Sequence, residues 1–175
     1  MSRSPFIRSL TAAFCLLPSN ATLSAYSSPA PERDEVQAVV RHFLVSFENL
    51  DIDAFMASFA HDATVFFPTP EPPDRFDGKN AIRDHFLKVF AAIRSSSKAS
   101  APPYHRLEPE QLEVQIPAPG SAVVTFHLRN SERTARRTLV LAKVAGHWLI
   151  VHLHASNLAA PATTPMSMPA ATPRQ

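Results

Sequence analysis

The sequence predicts an α+β fold in which helices pack on one face of a curved, mainly antiparallel sheet. Apolar residues in the first half of the chain recur three and four positions apart, which is helical spacing. After residue 111 the pattern changes to alternation of apolar and polar residues, which is typical of half-buried strands. Helices that come first and strands that come last favour α+β over an alternating, parallel arrangement.

The clearest helix is predicted over residues 32–50, because its apolar side chains form one continuous stripe. Pro31 precedes it and acidic residues occupy its first turn, where the helix dipole favours negative charge. Asp51 can cap a short second helix that includes Phe59. The remaining predictions for this half are a strand at 63–67, a proline-rich loop at 68–77 and a third helix at 79–94.

Strands joined by short turns are predicted for the second half of the chain. They cover residues 112–116, 122–129, 134–144 and 147–156. Gly78, Gly120 and Gly146 are the three glycines of the chain, and all lie at junctions between predicted elements. None of them belongs to a phosphate-binding loop pattern, so the sequence does not predict a nucleotide site of that kind.

Both ends of the chain differ in composition from the predicted domain. Arg3, Arg8 and the apolar run at 10–17 are typical of a secretory signal peptide, with cleavage expected after Ala25. The protein is therefore predicted to be exported, periplasmic or secreted, and a cytoplasmic protein that keeps this segment is the alternative. The predicted organisation is a signal peptide at 1–25, a linker at 26–31, a folded domain at 32–158 and a disordered tail rich in Pro, Ala and Thr at 159–175.

Composition excludes several classes of protein. The chain has 17 Lys and Arg against 15 Asp and Glu, and this balance argues against nucleic-acid binding, which needs clustered positive charge. Its single cysteine, Cys15, excludes a disulfide scaffold. The apolar run at 10–17 is far shorter than the roughly 20 residues that a membrane-spanning helix needs. No nucleic-acid or membrane partner is expected.

Four sequence segments carry a resemblance to a known family. They are Asp51-Ile52-Asp53, residues 59–64 (FAHDAT), residues 76–82 (FDGKNAI) and residues 146–156 (GHWLIVHLHAS). In these segments the chain resembles the SnoaL-like branch of the nuclear-transport-factor-2-like superfamily, also called the cystatin-like cone. The resemblance implies a cone-shaped roll with three helices, a cavity inside the cone and a homodimer formed through the outer face of the sheet. Because this fold hosts isomerases, cyclases, hydratases and non-catalytic association domains, it does not by itself define an activity.

Alternation along the last strand places Trp148, Ile150, His152, His154 and Ser156 on one face. The resemblance implies that the face of Trp148 points into the cone, so both histidines would line the cavity. Neighbouring strands and the first helix would add further side chains to the wall. The predicted ligand-binding residues are Phe43, Phe47, Thr125, His127, Arg129, Trp148, His152 and His154.

The residues that relatives use for catalysis are missing from the expected places. The resemblance implies a carboxylate base with a tyrosine donor, or a strand aspartate. Between Pro117 and Leu158, however, the only carboxylate is Glu132, in a turn, and the two tyrosines, Tyr26 and Tyr104, lie in irregular segments. A base would therefore have to be His152 or His154, since histidine titrates near neutrality. Arg129 or Thr125 would then stabilise an oxyanion. The alternative for both histidines is a structural role, hydrogen-bonded to neighbouring side chains.

Two other polar patterns have competing interpretations. His152 and His154, with His127, have a spacing that could chelate a metal, but without cysteine or a nearby carboxylate the pattern favours a structural role, and neither a metal nor a cofactor is expected. Adjacent Arg136 and Arg137 could bind an anion, and because they face opposite ways one of them is expected to be exposed or at the dimer rim. The loop at 68–77 is expected at the cavity mouth, flanked by Tyr104 and His105.

The sequence therefore predicts an exported, dimeric domain whose cavity binds a small, mostly apolar molecule. Two alternatives remain open. The first is an isomerase, cyclase or hydratase without a cofactor that uses His152 or His154 as the base. The second is a self-association domain in which phenylalanines fill the cone.

Overall fold

The computed structural model describes residues 29–69, 72–129 and 133–159. These residues form three helices and six strands. The helices are α1 (Pro29–Asn49), α2 (Ile52–Ala57) and α3 (Lys79–Ser96). The strands are β1 (Phe59–Phe66), β2 (Arg75–Asp77), β3 (Pro109–Ala118), β4 (Ser121–Arg129), β5 (Arg133–Val144) and β6 (His147–Ala159).

All strands belong to one sheet with the order β2-β1-β6-β5-β4-β3. The pair of β1 and β6 is parallel, and the other four pairs are antiparallel. The three helices pack on one face of this sheet, and the buried core lies between the two layers. This arrangement confirms the predicted α+β roll with a mainly antiparallel sheet.

Several boundaries differ from the sequence prediction. Helix α1 begins at Pro29, inside the predicted linker, and proline is compatible with the first helical turn because the N–H groups there have no intrahelical acceptor. Residues 75–77 form β2 beside β1, although the sequence predicted a loop there. The predicted signal peptide and the predicted tail beyond residue 159 lie outside the described residues. None of the helices described is long and apolar enough to cross a membrane.

The predicted stripe of α1 forms much of the core. Val36 and Val40 are fully buried, and Phe43 follows one turn later at the centre of a cluster of aromatic rings. The ring of Phe43 lies 4.9 Å from that of Phe55, which in turn lies 4.6 Å from that of Phe86, measured between centroids. This cluster joins α1, α2 and α3 and fixes the helical layer against the sheet, since tilted aromatic pairs add to the free energy of burial.

The first turns of α1 are tied to the sheet by carboxylates. Glu35 Oε2 accepts hydrogen bonds from Trp148 Nε1 and from Lys143 Nζ, each at 2.7 Å. These bonds lower the pKa of Glu35 below its usual value. Glu32, one turn earlier, accepts from the amide of Gly120 at 3.2 Å. The hairpin turns of β3–β4 and β5–β6 are therefore held against one end of the helix.

Strand β6 contains a bulge that decides which side chains reach the core. Leu141 pairs with Ile150, but Val140 pairs with His152, so Val151 is one extra residue in β6. Such a bulge changes the phase of the alternation in the strand. As a result, Trp148 and Ile150 face the core before the bulge, whereas Leu153 and Ala155 face it afterwards (all four are buried).

Candidate functional site

A cavity of about 450 Å³ opens between the sheet and helices α1 and α3. Its apolar wall comes from α1, α3, the last three strands and the segment after β1, and includes Phe43, Phe47, Phe67, Phe86, Phe126 and Leu153. Its polar wall consists, within the described part of the chain, of His105, Arg106, Glu108, Arg129, Arg137 and Asn157. The volume falls in the range of roughly 300–1,000 Å³ that is usual for small-molecule sites.

The polar and apolar parts of the sheet wall follow the strand register. The deepest row across β4, β5 and β6 is Val124, Leu139 and Leu153, and all three are buried. The next row towards the mouth is Phe126, Arg137 and Ala155, and the last is Leu128, Ala135 and Asn157. The deepest row of the sheet wall is therefore entirely apolar, and each of the two rows nearer the mouth contains one polar side chain.

Arg137 is the charged side chain in the middle one of these three rows. It is half-buried, and its Nη1 donates to the carbonyl oxygens of Arg136 at 2.9 Å and Ser156 at 3.3 Å. Both acceptors are backbone groups of the sheet, so they hold the guanidinium in a fixed position. Its register partner on β6 is Ala155, and Ala135 is the next inner residue along β5.

One wall of the cavity is a connector, residues 104–108, that is held by Glu48 of α1. The carbonyl oxygen of Glu48 accepts from the amides of Tyr104 at 2.9 Å and His105 at 3.3 Å. Its carboxylate accepts from the amide of Leu107 at 2.6 Å. The connector is also held to α3, because the guanidinium of Arg94 lies 4.0 Å over the ring of Tyr104.

Several predicted residues do line the cavity. Phe43 and Phe47 form part of its apolar wall, and Arg129 lies at its mouth in an exposed ion pair with Glu110 at 3.4 Å. Pro68 and His105, which the sequence placed at the mouth, are also in the wall. Tyr104 is held by Arg94 and Ser97 instead, since the Oγ of Ser97 donates to its carbonyl oxygen at 2.7 Å.

The predicted position of His152 and His154 inside the cone is wrong. The extra residue at the bulge of β6 reverses the alternation, so both rings lie on the outer face of the sheet with Thr64 and Phe66, their register partners on β1. His152 Nδ1 and Thr64 Oγ1 are 2.7 Å apart, and the ring of Phe66 lies 5.7 Å from that of His152 and 5.9 Å from that of His154. Burial is the main cause that lowers the pKa of His152, followed by the neighbouring charges of His154 and Arg75.

Three further predicted residues also lie away from the cavity. Thr125 and His127 alternate with the buried Val124 and Phe126 and therefore lie on the outer face, where His127 Nδ1 is 2.9 Å from Gln111 Oε1. Trp148 is buried as predicted, but at the end of the sheet where it donates to Glu35. The alternation was therefore predicted correctly for β4, but the choice of inner face was not.

The three histidines considered as metal ligands are not brought together on a common site. His127 of β4 contacts Gln111 of β3, whereas His152 of β6 contacts Thr64 of β1. Across residues 29–69, 72–129 and 133–159, no group of three or more His, Cys, Asp or Glu side chains could hold a metal ion.

His85 on α3 is a half-buried polar residue that the sequence did not single out. Its ring stacks on Phe76 at 4.1 Å between centroids and contacts Phe67 at 4.8 Å, edge to face. Burial, followed by the nearby charge of Lys88, lowers the pKa of His85, so the neutral form is favoured. Its Nε2 is buried without a hydrogen-bond partner, behind the cavity wall formed by Phe67.

The cavity residues that sequence reasoning missed include Arg137 as an inner residue, Asn157 and Glu108. A signal for the first was present, because Arg137 alternates with Leu139 and Leu141, the more apolar face of the strand. A signal for the bulge was present too. The alternation of apolar residues changes within β6. In the first half the apolar side chains are at even positions, as with Trp148 and Ile150, and in the second half they are at odd positions, as with Leu153 and Ala155.

The cone-shaped sheet, the three covering helices and the cavity between them define a protein of the cystatin-like class. A nuclear-transport-factor-2-like protein of unknown function from Pseudomonas putida superposes with a TM-score of 0.60 at 19% identity, covering 73% of this chain and 87% of that chain. A protein of unknown function with a cystatin-like fold from Nostoc punctiforme gives a TM-score of 0.57 at 17% identity, covering 76% and 94%. A ketosteroid isomerase-like protein from Erwinia carotovora atroseptica gives 0.59 at 19%, covering 73% and 96%. At these identities the likeness concerns the fold.

Within this class, the chain belongs to the SnoaL-like domain family, which is matched over residues 36–161. A comparison with curated proteins gives no match. The sequence segments that carried the resemblance all lie inside the matched range, and the family expected from them is confirmed.

Proposed function

We propose that this SnoaL-like domain binds a small, mostly apolar molecule in its cone cavity. The single observation that supports this is the cavity itself, about 450 Å³ with a wall of phenylalanine, leucine, valine and isoleucine side chains. The phenylalanines pack at its floor and sides without filling it. Burial of apolar ligand surface against such a wall contributes about 25 cal/mol per Å² before the costs of association.

The proposal is limited to binding, because the two histidines considered as bases do not line the cavity. His152 and His154 lie on the outer face of the sheet, and the hydrogen bond to Thr64 gives His152 a structural partner. The histidine and carboxylate side chains that line the cavity among the described residues are His105 and Glu108, both of which are exposed. A general base is more effective where burial or a fixed partner adjusts its pKa.

Filling the cavity tests this proposal directly. Ala135 lies on its wall, and Ala142 lies on the same strand but on the opposite face. We expect Ala135→Phe to reduce binding of a fluorescent apolar probe, 1-anilinonaphthalene-8-sulfonate, by about tenfold or more, because the new ring occupies the ligand volume. The matched control, Ala142→Phe, should bind the probe as the wild type does. Equal binding by both variants would contradict a cavity site.

We also propose that the protein is exported. The support is the sequence of residues 1–25, with Arg3 and Arg8 before the apolar run. Expression in a bacterium followed by N-terminal sequencing should give a mature chain that begins at Tyr26, and Leu16→Asp, which interrupts the apolar run, should keep the precursor in the cytoplasm. A protein that retains Met1 in the wild type would contradict export.

A homodimer through the outer face of the sheet is the third part of the proposal. The support is the half-buried apolar side chains Val123 and Val140, which face outward between polar neighbours. We expect Val140→Glu to shift the molar mass measured by light scattering from dimer to monomer, since it places a charge at the centre of the interface. Leu87→Glu on the exposed side of α3 is the matched control. A monomeric wild type would contradict this part alone.

A further inference from the structure

His85 of α3 packs against two side chains of the cavity wall. Its ring lies 4.8 Å from that of Phe67 and 5.3 Å from that of Phe86, measured between centroids. These two phenylalanines line the cavity, and their own rings are 5.6 Å apart. A fourth ring, that of Phe76 on β2, stacks on the imidazole at 4.1 Å. The position of His85 is therefore linked by direct ring contacts to the side chains that would face a ligand.

The helix that carries His85 gives its buried nitrogen no acceptor for a second proton. Nε2 is buried without a hydrogen-bond partner. The adjacent carboxylate, Asp84, is exposed, and the nearby charge of Lys88 is positive. Burial and this charge both lower the pKa of His85. The packed position therefore suits the neutral imidazole.

The elements packed against His85 supply no compensating charge among the described residues. On β2, Arg75 and Asp77 pair with each other at 2.8 Å. Alternation places both of them on the face of the strand opposite to the ring that stacks on His85. Residues 64–69, at the end of β1 and after it, contain no charged side chain, and Asp74, before β2, is exposed. A proton on His85 would therefore be an unpaired charge at the back of the wall.

We infer that protonation of His85 opens the cavity wall, so that the domain holds its ligand at neutral pH and releases it in acid. This inference rests on the binding proposed above. An imidazolium needs water or an acceptor at each N–H, and Nε2 has neither in the packed position. Stacking on Phe76 attracts a cation but provides no acceptor. The charged ring is hydrated only when it turns outward, and that movement removes the support of Phe67 and Phe86.

Proton linkage gives the direction of the pH effect. The closed state, with His85 packed behind the wall, takes up the proton at a lower pH than the open state does. Below the ordinary histidine pKa of about 6.5, a fall in pH therefore favours the open state. One group changes the ratio of the two states by at most about tenfold per pH unit. Because linkage is reciprocal, a ligand that prefers the closed state must lower the pKa of His85 when it binds.

A neutral apolar probe, N-phenyl-1-naphthylamine, tests the inference by fluorescence titration at pH 7.5 and pH 5.5. The probe is uncharged at both values, so a change in affinity belongs to the protein. We expect the Kd of the wild type to rise about three- to tenfold at the lower pH. His85→Phe keeps a ring against Phe76 but takes up no proton, so its Kd should change less than about twofold. The matched control, His152→Asn on the outer face, should keep the full dependence.

NMR titration of the wild-type His85 ring gives a second measurement should His85→Phe fold poorly, which circular dichroism checks at both pH values. We expect saturating probe to lower the pKa of His85. Equal affinity of the wild type at the two pH values, a dependence that survives His85→Phe, or a His85 pKa that the probe does not lower would overturn the inference and leave the cavity as a binding site. Failure of the probe to bind at pH 7.5 would overturn both the inference and the proposed function.

Discussion

The two faces of the same sheet differ in the chemistry that they present. On the inner face the strands contribute apolar side chains and one half-buried arginine, Arg137, to a cavity. On the outer face they present histidines, with His152 and His154 grouped around Phe66. The comparison teaches that the face proposed to hold an apolar ligand is the apolar one, whereas the histidines of β6 belong to the surface that is proposed to meet a second copy.

The largest expected effect is on folding itself and comes from deletions that change which side chains of a strand point to each face. The pairing of β4 with β5 is regular, so deletion of Val124 from β4 moves the side chains that follow it to the opposite face of the sheet. We therefore expect loss of the folded state. Deletion of Val151 removes the extra residue of the bulge and leaves Ile150 and Leu153 facing inward, so we expect a folded protein. Circular dichroism and urea unfolding measure both. An unfolded Val151 deletion would show that the bulge itself is essential.

The second largest expected effect is the loss in free energy of unfolding when one side chain on each face is truncated to alanine. Leu139 is fully buried, and Leu139→Ala should lower the free energy of unfolding by about 2–5 kcal/mol. Val140, the adjacent residue, is half-buried on the outer face, and Val140→Ala should cost about 1 kcal/mol or less. Urea unfolding gives both values. Similar losses for the two variants would mean that the outer face is as tightly packed as the core in solution.

How far the sequence predicts this molecule depends on whether a feature is local. The stripe of α1 and the alternation in β4 are local patterns, and they correctly predicted the helix, the strand and the positions of Phe43 and Phe47 in the cavity wall. Three-residue β2 is too short to give a pattern and forms because β1 lies beside it. The sequence prediction placed the histidines of β6 on the wrong face, because it continued the same alternation of inward and outward side chains across the bulge at Val151.

The smallest expected effect is the pH dependence of stability. Burial lowers the pKa of His152, with further contributions from His154 and Arg75. Because the unfolded chain then binds a proton at a higher pH than the folded chain does, the free energy of unfolding is highest above the ordinary histidine pKa of about 6.5 and decreases as the pH falls below it.

Thermal melting at pH 7.5 and pH 5.5 measures this dependence. His152→Asn should reduce the difference in Tm between the two conditions, and Thr138→Ala, an uncharged change on the same face, should not. An unchanged difference in His152→Asn would assign the pH dependence to other groups, with His85 the next candidate because burial also lowers its pKa.

The attachment of the cavity wall to Glu48 has a kinetic consequence. Backbone amides of Tyr104, His105 and Leu107 all donate to this one residue, so residues 104–108 move outward on that side only when several bonds break together. Hydrogen exchange at these three amides should therefore be slow and similar in rate, because each of them becomes accessible to solvent in the same opening event.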